Sequence, residues 1–168
     1  ESHPADGTLS GTAPNLTYTP NADFNGDDSF TFKVSDGTST STAATVSIKV
    51  TPVNDAPSFT STPETSAEQD VLYTYNIVAE DVDIGDTLII EATTKPGWLL
   101  LTDNEDGTAT LAGTPTNADV GQHSVTLVVT DGSAARDTQS FTITVANVND
   151  DPIFTSTPVT SATQDAEY

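Results

Sequence analysis

The chain has 168 residues and a formal net charge of −21, because 25 Asp and Glu residues face only four Lys and Arg residues. Nucleic acid and anionic lipid bind through basic patches, so both are excluded as partners, and no apolar run of about 18 residues is present to insert into a membrane. Cysteine is absent, which excludes disulfides, Cys-ligated metal sites and thiol catalysis.

Segments of alternating apolar and polar residues follow one another along the chain and predict β-strands with one face on a core. In chain order they are Phe30–Val34, Val46–Val50, Tyr73–Ile77, Val125–Val129 and Phe141–Val145. Asn-Gly and Asp-Gly turn pairs lie between them, and no segment has a sustained helical period. Trp98 and the three leucines that follow it are predicted to form the central core. The fold class is therefore all-β.

A long internal repeat sets the size of the folding unit. The 21 residues from Val53 recur from Val148 with 15 identities, at an offset of 95 positions. This period matches a β-sandwich domain of about 100 residues. We therefore expect residues 1–55 to be the C-terminal part of one module, residues 56–150 a complete module, and residues 151–168 the first strand region of a third. Such a chain is expected to be a fragment of a longer protein.

An ordered set of motifs runs through the complete module: EDVDIGDTL from Glu80, KPGWLLL from Lys95, GTP from Gly113, VTDG from Val129 and VNDDP from Val148. With these motifs the module resembles the bacterial dystroglycan-type cadherin-like, or putative Ig, domains. The partial first module resembles a related cadherin-like repeat of large bacterial adhesins. The resemblance implies tandem seven-stranded Greek-key sandwiches arranged end to end outside the cell, with calcium at their junctions. It also implies roles in adhesion, surface display or polysaccharide attachment.

Calcium binds oxygen ligands, and acidic residues fall at the predicted module ends. In cadherins, a linker acid pair, a D-x-D and a later D-x-G aspartate share the ions between two modules. Carried over by position, this resemblance implies a first junction built from Asn54, Asp55, Asp81, Asp83 and Asp131. Asp23 and Asp27 are further contributors from the preceding module. The implied second junction uses Glu68, Asp119, Asn149, Asp150 and Asp151.

The linkers depart from the animal cadherin pattern. They read VNDAP and VNDDP, shorter than D-x-N-D-N, and no L-D-R-E motif is present. One or two ions per junction are therefore expected instead of three. Asp is also common in solvated turns that bind no ion, so calcium sites and ordinary turns both stay open as interpretations.

Three functions compete. The first is a calcium-rigidified extracellular spacer or adhesion module of a secreted or surface protein, whose partners are neighbouring modules and, beyond them, polysaccharide or another cell-surface protein. The second is a carbohydrate-binding module, which needs exposed aromatic platforms, and the third is a calcium-independent spacer. Catalysis is not expected, because His3 and His123 are the only histidines and no nucleophile, zinc or phosphate-loop motif occurs.

Overall fold

A computed structural model describes residues 2–164 of the chain. Residues 2–50, here called the hairpin region, form two antiparallel hairpins: β1 (Gly7–Thr12) with β2 (Asn15–Pro20), and β3 (Gly26–Phe32) with β4 (Ala44–Val50). Alternation of apolar and polar residues predicted β3 and β4, as observed. The β1–β2 hairpin was not predicted.

A buried carboxylate joins the two hairpins. Asp28 of β3 accepts hydrogen bonds from the backbone N–H groups of Ala5 and Asp6 at 3.0 and 3.1 Å and from the Tyr18 hydroxyl at 2.9 Å. Burial pushes the pKa of Asp28 up, but these hydrogen bonds, with one from the Ser29 N–H, outweigh it and hold the pKa below its ordinary value. Asp28 is the one buried residue among residues 2–55.

The apolar face predicted for the first module is exposed. Phe32 and Val34 have 42% and 63% of their surface accessible, although their alternation predicted a core-facing strand. Within the described residues, β3 and β4 form a two-stranded sheet that is extended only by a single bridge from Ser2 to Thr31, and Val34 lies beyond the end of β3. A sheet this small leaves these side chains exposed.

Residues 56–146, here called the sandwich, contain eight strands in two four-stranded sheets. They are β5 (Ser58–Phe59), β6 (Ser66–Glu68), β7 (Tyr73–Glu80), β8 (Ile89–Thr94), β9 (Leu100–Asp103), β10 (Thr108–Gly113), β11 (Gly121–Thr130) and β12 (Arg136–Ala146). The sheet orders are β5-β7-β10-β9 and β6-β12-β11-β8. The first strand is divided between the sheets: β5 pairs antiparallel with β7, and β6 pairs parallel with β12. When β5 and β6 are counted as the two halves of one strand, the sandwich has seven strands, as expected for the Greek-key fold.

The core lies between the two sheets. Tyr75 and Ile77 of β7, Leu111 of β10, and Leu127 and Val129 of β11 are all almost completely buried. Each is the inward member of an alternating strand, as the sequence predicted. Burial of each such side chain stabilises the fold by roughly 1.5–3 kcal/mol.

One part of the predicted core is wrong. Trp98 is only half-buried and packs against the edge of the core, and Leu100 is 68% exposed. Leu99 is buried, and the outward-facing Leu100 begins β9, where successive side chains point to opposite faces. A continuous apolar run therefore became an alternating strand.

Residues 151–164 form no strand, and residues 165–168 of the expected third module lie outside the described residues. The repeat counterparts of residues 151–164 form β5 and β6 by pairing with β7 and β12 of their own sandwich. Within residues 2–164, no helix has the length and apolarity needed to cross a membrane.

Candidate metal centre at the junction

Strand pairing brings three separate parts of the chain to one end of the sandwich. Ser58 of β5 is paired with Glu80, so the incoming linker (residues 53–55) lies beside the end of β7. Thr130 is paired with Ile89, so the turn after β11 lies beside the start of β8. The loop of residues 81–88 runs between these two points. Acidic residues from all three segments therefore meet at this pole.

Three carboxylates form the centre of this pole. One oxygen from each of Asp81, Asp86 and Asp131 lies within 4.8 Å of the other two. The Asp81 Oδ1 atom accepts the backbone N–H of Asp83 at 2.9 Å, whereas its Oδ2 atom is buried and has no hydrogen-bond partner. A buried oxygen without a donor is costly unless a cation or water meets it. The residues present therefore fit a hard dication.

Asp131 is fixed by its own turn and by the incoming linker. Its Oδ1 atom accepts the backbone N–H groups of Ser133 and Ala135 at 2.9 and 2.7 Å, and its Oδ2 atom accepts the Asn54 side-chain amide at 2.8 Å. The hydrogen bond from Asn54 is the largest influence on the pKa of Asp131, and with the backbone donors it lowers that pKa although the residue is buried. Asp131 is thus held as a carboxylate.

The incoming linker makes a second contact through its backbone. The N–H of Asp55 donates to the Asp83 Oδ2 atom at 2.8 Å. The structure therefore brings together all five residues predicted for the first junction, in one chain of contacts from Asn54–Asp131 to Asp55–Asp83–Asp81.

The two further contributors from the hairpin region differ. Asp23 lines two clefts beside the linker, and Asp83 lines both of them as well. Asp27 lines neither cleft; it sits on β3 opposite Lys49 of β4. Asp23 is therefore the acid that the hairpin region brings to the junction.

Asp86 is the residue that sequence reasoning missed. Asp86 is exposed, but partial loss of solvation among its neighbours is the main cause that raises its pKa, followed by the negative charges of Asp131, Asp81 and Asp83. Asp86 was overlooked because it falls outside the D-x-D pair of Asp81 and Asp83. A turn in which the Asp86 N–H donates to the Asp83 carbonyl at 3.3 Å brings it back to that pair. The third Asp of EDVDIGDTL was the signal that could have identified it.

The opposite pole, where the chain leaves the sandwich, is built differently. The Gln69 side-chain amide donates to the Asp150 Oδ2 atom at 2.8 Å. Glu68 points outward and is exposed, and the Asp119 Oδ2 atom accepts the N–H and hydroxyl of Thr116 at 2.8 and 2.7 Å. Within the described residues, no hydrogen bond joins Glu68 or Asp119 to the predicted group of Asn149, Asp150 and Asp151.

The aromatic and histidine side chains are used in packing. The Trp98 ring contacts Tyr73 and His123 edge-to-face, each at a centroid distance of 5.9 Å. The His123 Nε2 atom lies 2.6 Å from the Asp119 carbonyl oxygen. These contacts give His123 a structural role and occupy the surroundings of Trp98.

Sequence comparison identifies the sandwich. Residues 56–146, more than half of the chain, match the profile of the family described as Putative Ig domain. The chain belongs to this family. Residues 1–49, which cover all but the last residue of the hairpin region, match the profile described as Bacterial Ig domain. No curated protein matches this Putative Ig domain chain.

Several solved structures resemble the Putative Ig domain chain. Endo-fucoidan hydrolase MfFcnA4 from glycoside hydrolase family 107 is 28% identical with a TM-score of 0.50, over 89% of this chain and 24% of that chain. Protocadherin Gamma B2 extracellular cadherin domains 1–5 are 19% identical with a TM-score of 0.61, over 86% of this chain and 30% of that chain. Human mucin-like protocadherin EC1-2 is 18% identical with a TM-score of 0.53, over 84% and 81%.

The hydrolase and the protocadherins support different conclusions about this chain. The chain spans about a quarter of the hydrolase it resembles. The protocadherin matches are at low identity and establish the cadherin-like fold. The chain is thus an Ig-like, cadherin-like β-sandwich protein.

Proposed function

We propose that this chain is a calcium-rigidified, non-catalytic spacer segment of a larger extracellular protein. Its partners are then the neighbouring modules of the same longer chain. Calcium at the junction ties the incoming linker to the sandwich and converts a flexible connection into a stiff one.

The observation that carries the proposal is the meeting of Asp81, Asp86 and Asp131 beside the incoming linker. Their carboxylate oxygens lie within 4.8 Å of one another, and the buried Asp81 Oδ2 atom has no hydrogen-bond partner. An ordinary solvated turn does not bury an unpaired carboxylate oxygen. Calcium is the expected ion because all available ligands are oxygens and cysteine is absent.

The bound ion would draw on the oxygens of these three carboxylates, with Asp83 and the incoming linker beside them. Its two positive charges would neutralise the repulsion that contributes to the raised pKa of Asp86. Because Asn54 bonds Asp131 and Asp55 bonds Asp83, ordering these carboxylates also orders the linker. Affinities of extracellular calcium modules are about 10⁻⁴–10⁻³ M, so the site would fill outside cells.

A second junction of the same kind is proposed around Asn149, Asp150 and Asp151. Its remaining ligands would come from the module that follows. Gln69 takes the place expected for Glu68, because Glu68 at the end of β6 is exposed and Gln69, the residue after the strand, is buried.

The likeness to an endo-fucoidan hydrolase favours one setting for the spacer. At 28% identity over 89% of this chain, a comparable segment is part of a polysaccharide-degrading enzyme. We infer that this chain has a similar place in a polysaccharide-active or adhesive protein. Direct binding of an acidic polysaccharide is disfavoured by the net charge of −21.

Calcium titration tests the proposal. Calorimetry should give a saturable heat in the millimolar range, and small-angle scattering should give a longer, narrower distance distribution with calcium than with chelator. Magnesium serves as the control ion, since it dehydrates reluctantly and demands tighter geometry. Absence of both heat and stiffening up to about 10 mM calcium, well above the affinities of such modules, would leave a calcium-independent spacer.

Glycan binding is tested separately. Fucoidan and neutral polysaccharides are added in chelator, and retention on the immobilised polysaccharide is measured. The packed surroundings of Trp98 lead us to expect no retention. Retention without calcium would replace the spacer with a carbohydrate-binding module.

A further inference from the structure

Gln69 is a buried polar residue at the point where the chain leaves the sandwich. Only 2% of its surface is exposed. It follows β6, whose parallel pairing with β12 ends at Glu68 and Ala146. The backbone N–H of Gln69 donates to the Ala146 carbonyl at 3.0 Å and so adds one more bond to this ladder.

The Gln69 side chain continues the ladder into the outgoing linker, residues 148–150. Its Nε2 atom donates to the Oδ2 atoms of Asp150 and Asp70, at 2.8 and 3.0 Å, and its Oε1 atom accepts the N–H of Val148 at 3.4 Å. Both ends of the amide are therefore used. Hydrogen bonds from an amide to carboxylates are stronger than neutral ones, and burial protects them from competing water.

We propose that Gln69 is a positioning residue that fixes the outgoing linker on the sandwich without a metal ion. This proposal rests on the proposed function in one respect: the linker that Gln69 fixes is taken to belong to a stiff string of modules. A neutral amide keeps its charge state from acid to alkaline pH, and the bonds it makes here need no cation. The incoming linker meets a carboxylate cluster instead. Gln69 would thus hold the outgoing linker on its own sandwich, while the second calcium junction would join that linker to the module that follows.

The repeat supports this role. Six of the 21 positions differ between the segments that begin at Val53 and Val148, yet the position of Gln69 is again Gln in the second copy, as Gln164. The bonded partner Asp150 likewise corresponds to Asp55. Both residue types thus recur at their positions in the repeat, while neighbours such as Glu68 and Val71 change.

The test measures backbone motion of the outgoing linker by ¹⁵N relaxation, in chelator, for the full chain. In the parent chain, residues 148–150 should have order parameters in the rigid range of about 0.85. Gln69→Leu, which fills the space but offers no polar atom, should lower them below about 0.6. Amide hydrogen exchange at Val148 should become about tenfold faster, because the bond to Gln69 Oε1 is lost.

Variants of Asp150, the partner of Gln69, distinguish a positioning role of Gln69 from a general loss of structure. Asp150→Ala should loosen the linker like Gln69→Leu, while Asp150→Asn should retain order, because its amide oxygen still accepts from Gln69. Asp150 is exposed, so neither change should affect the melting temperature of the sandwich.

Unchanged order parameters in Gln69→Leu and Asp150→Ala would overturn the proposal. So would a parent linker that is rigid only in calcium. Failure of the calcium site itself would appear elsewhere, as missing calorimetric heat, and would leave these relaxation results unaffected.

Discussion

Replacing Asp86 by Asn should remove most of the stabilisation that calcium gives to the sandwich. At about 10 mM calcium, a site with a Kd of roughly 0.1–1 mM adds about 1.4–2.7 kcal/mol to the free energy of unfolding. For a domain of this size the corresponding rise in Tm is roughly 6–20 °C. Asp86 supplies one of the three carboxylates within 4.8 Å of one another. Its loss should weaken the site on the order of tenfold, because affinity follows the charge count of the ligands.

Tenfold weaker binding leaves about 0.4–1.4 kcal/mol of stabilisation at the same calcium concentration. The calcium-induced rise in Tm should therefore shrink by roughly 4–10 °C. In chelator the order of the melting temperatures reverses. The Asp86→Asn variant should melt at or above the parent, because the desolvation and the repulsion that raise the pKa of Asp86 act on a charge that the variant lacks.

The assay is thermal unfolding followed by circular dichroism in chelator and in calcium. Glu91→Gln is the matched control, since it removes one negative charge from an exposed position on β8, outside the carboxylate cluster. An equal loss of calcium stabilisation in both variants would reduce the effect to net charge. An unchanged calcium response in Asp86→Asn would refute the site.

Three further outcomes follow from the described contacts. In chelator, the free energy of unfolding should rise as pH falls through the raised pKa of Asp86, because the protonated form of Asp86 is favoured in the fold. Below pH 3.8 the stabilisation from the ionised Asp131 should be lost as its depressed pKa is crossed. Urea unfolding across pH measures both changes. Asn54→Ala should leave the Tm within a few degrees and broaden the scattering distance distribution, because it removes the tie to Asp131 and a local bond to the Asp55 carbonyl, both outside the core. Tyr75→Phe should cost about 1–2 kcal/mol in urea unfolding, since the Tyr75 hydroxyl lies 2.7 Å from the Ser61 hydroxyl and donates to Gln139 at 2.8 Å; an unchanged midpoint would contradict that network.

The sandwich could be predicted from its alternating strands, because alternation records which face of a strand is buried. Tyr73, Tyr75 and Ile77 were predicted inward and are buried. The hairpin region could not be predicted in the same way. Its strand alternation is equally clear at Phe32 and Val34, but burial also needs a second sheet, and alternation does not report whether one is present.

The candidate site could be predicted where residues that are close along the chain are also close in space. Asp81 and Asp83 are neighbours in one loop, and Asp55 reaches them through the pairing of β5 with β7. Asp86 and Gln69 were missed for different reasons. Asp86 joins the cluster through a turn whose path cannot be read from the sequence. Gln69 was missed because its amide carries no charge, and a search for calcium ligands favours acidic residues.

The parallel pairing of β6 with β12 has a consequence for tension along a rod. These are strands from the beginning and the end of one sandwich, and they run side by side in the same direction. When the two ends of the sandwich are pulled apart, the hydrogen bonds between β6 and β12 are loaded in shear at the same time. They therefore break as a group and not one at a time. The Gln69 contacts extend this group by several bonds. A chain built from such units would therefore resist a pull at its ends with many bonds at once.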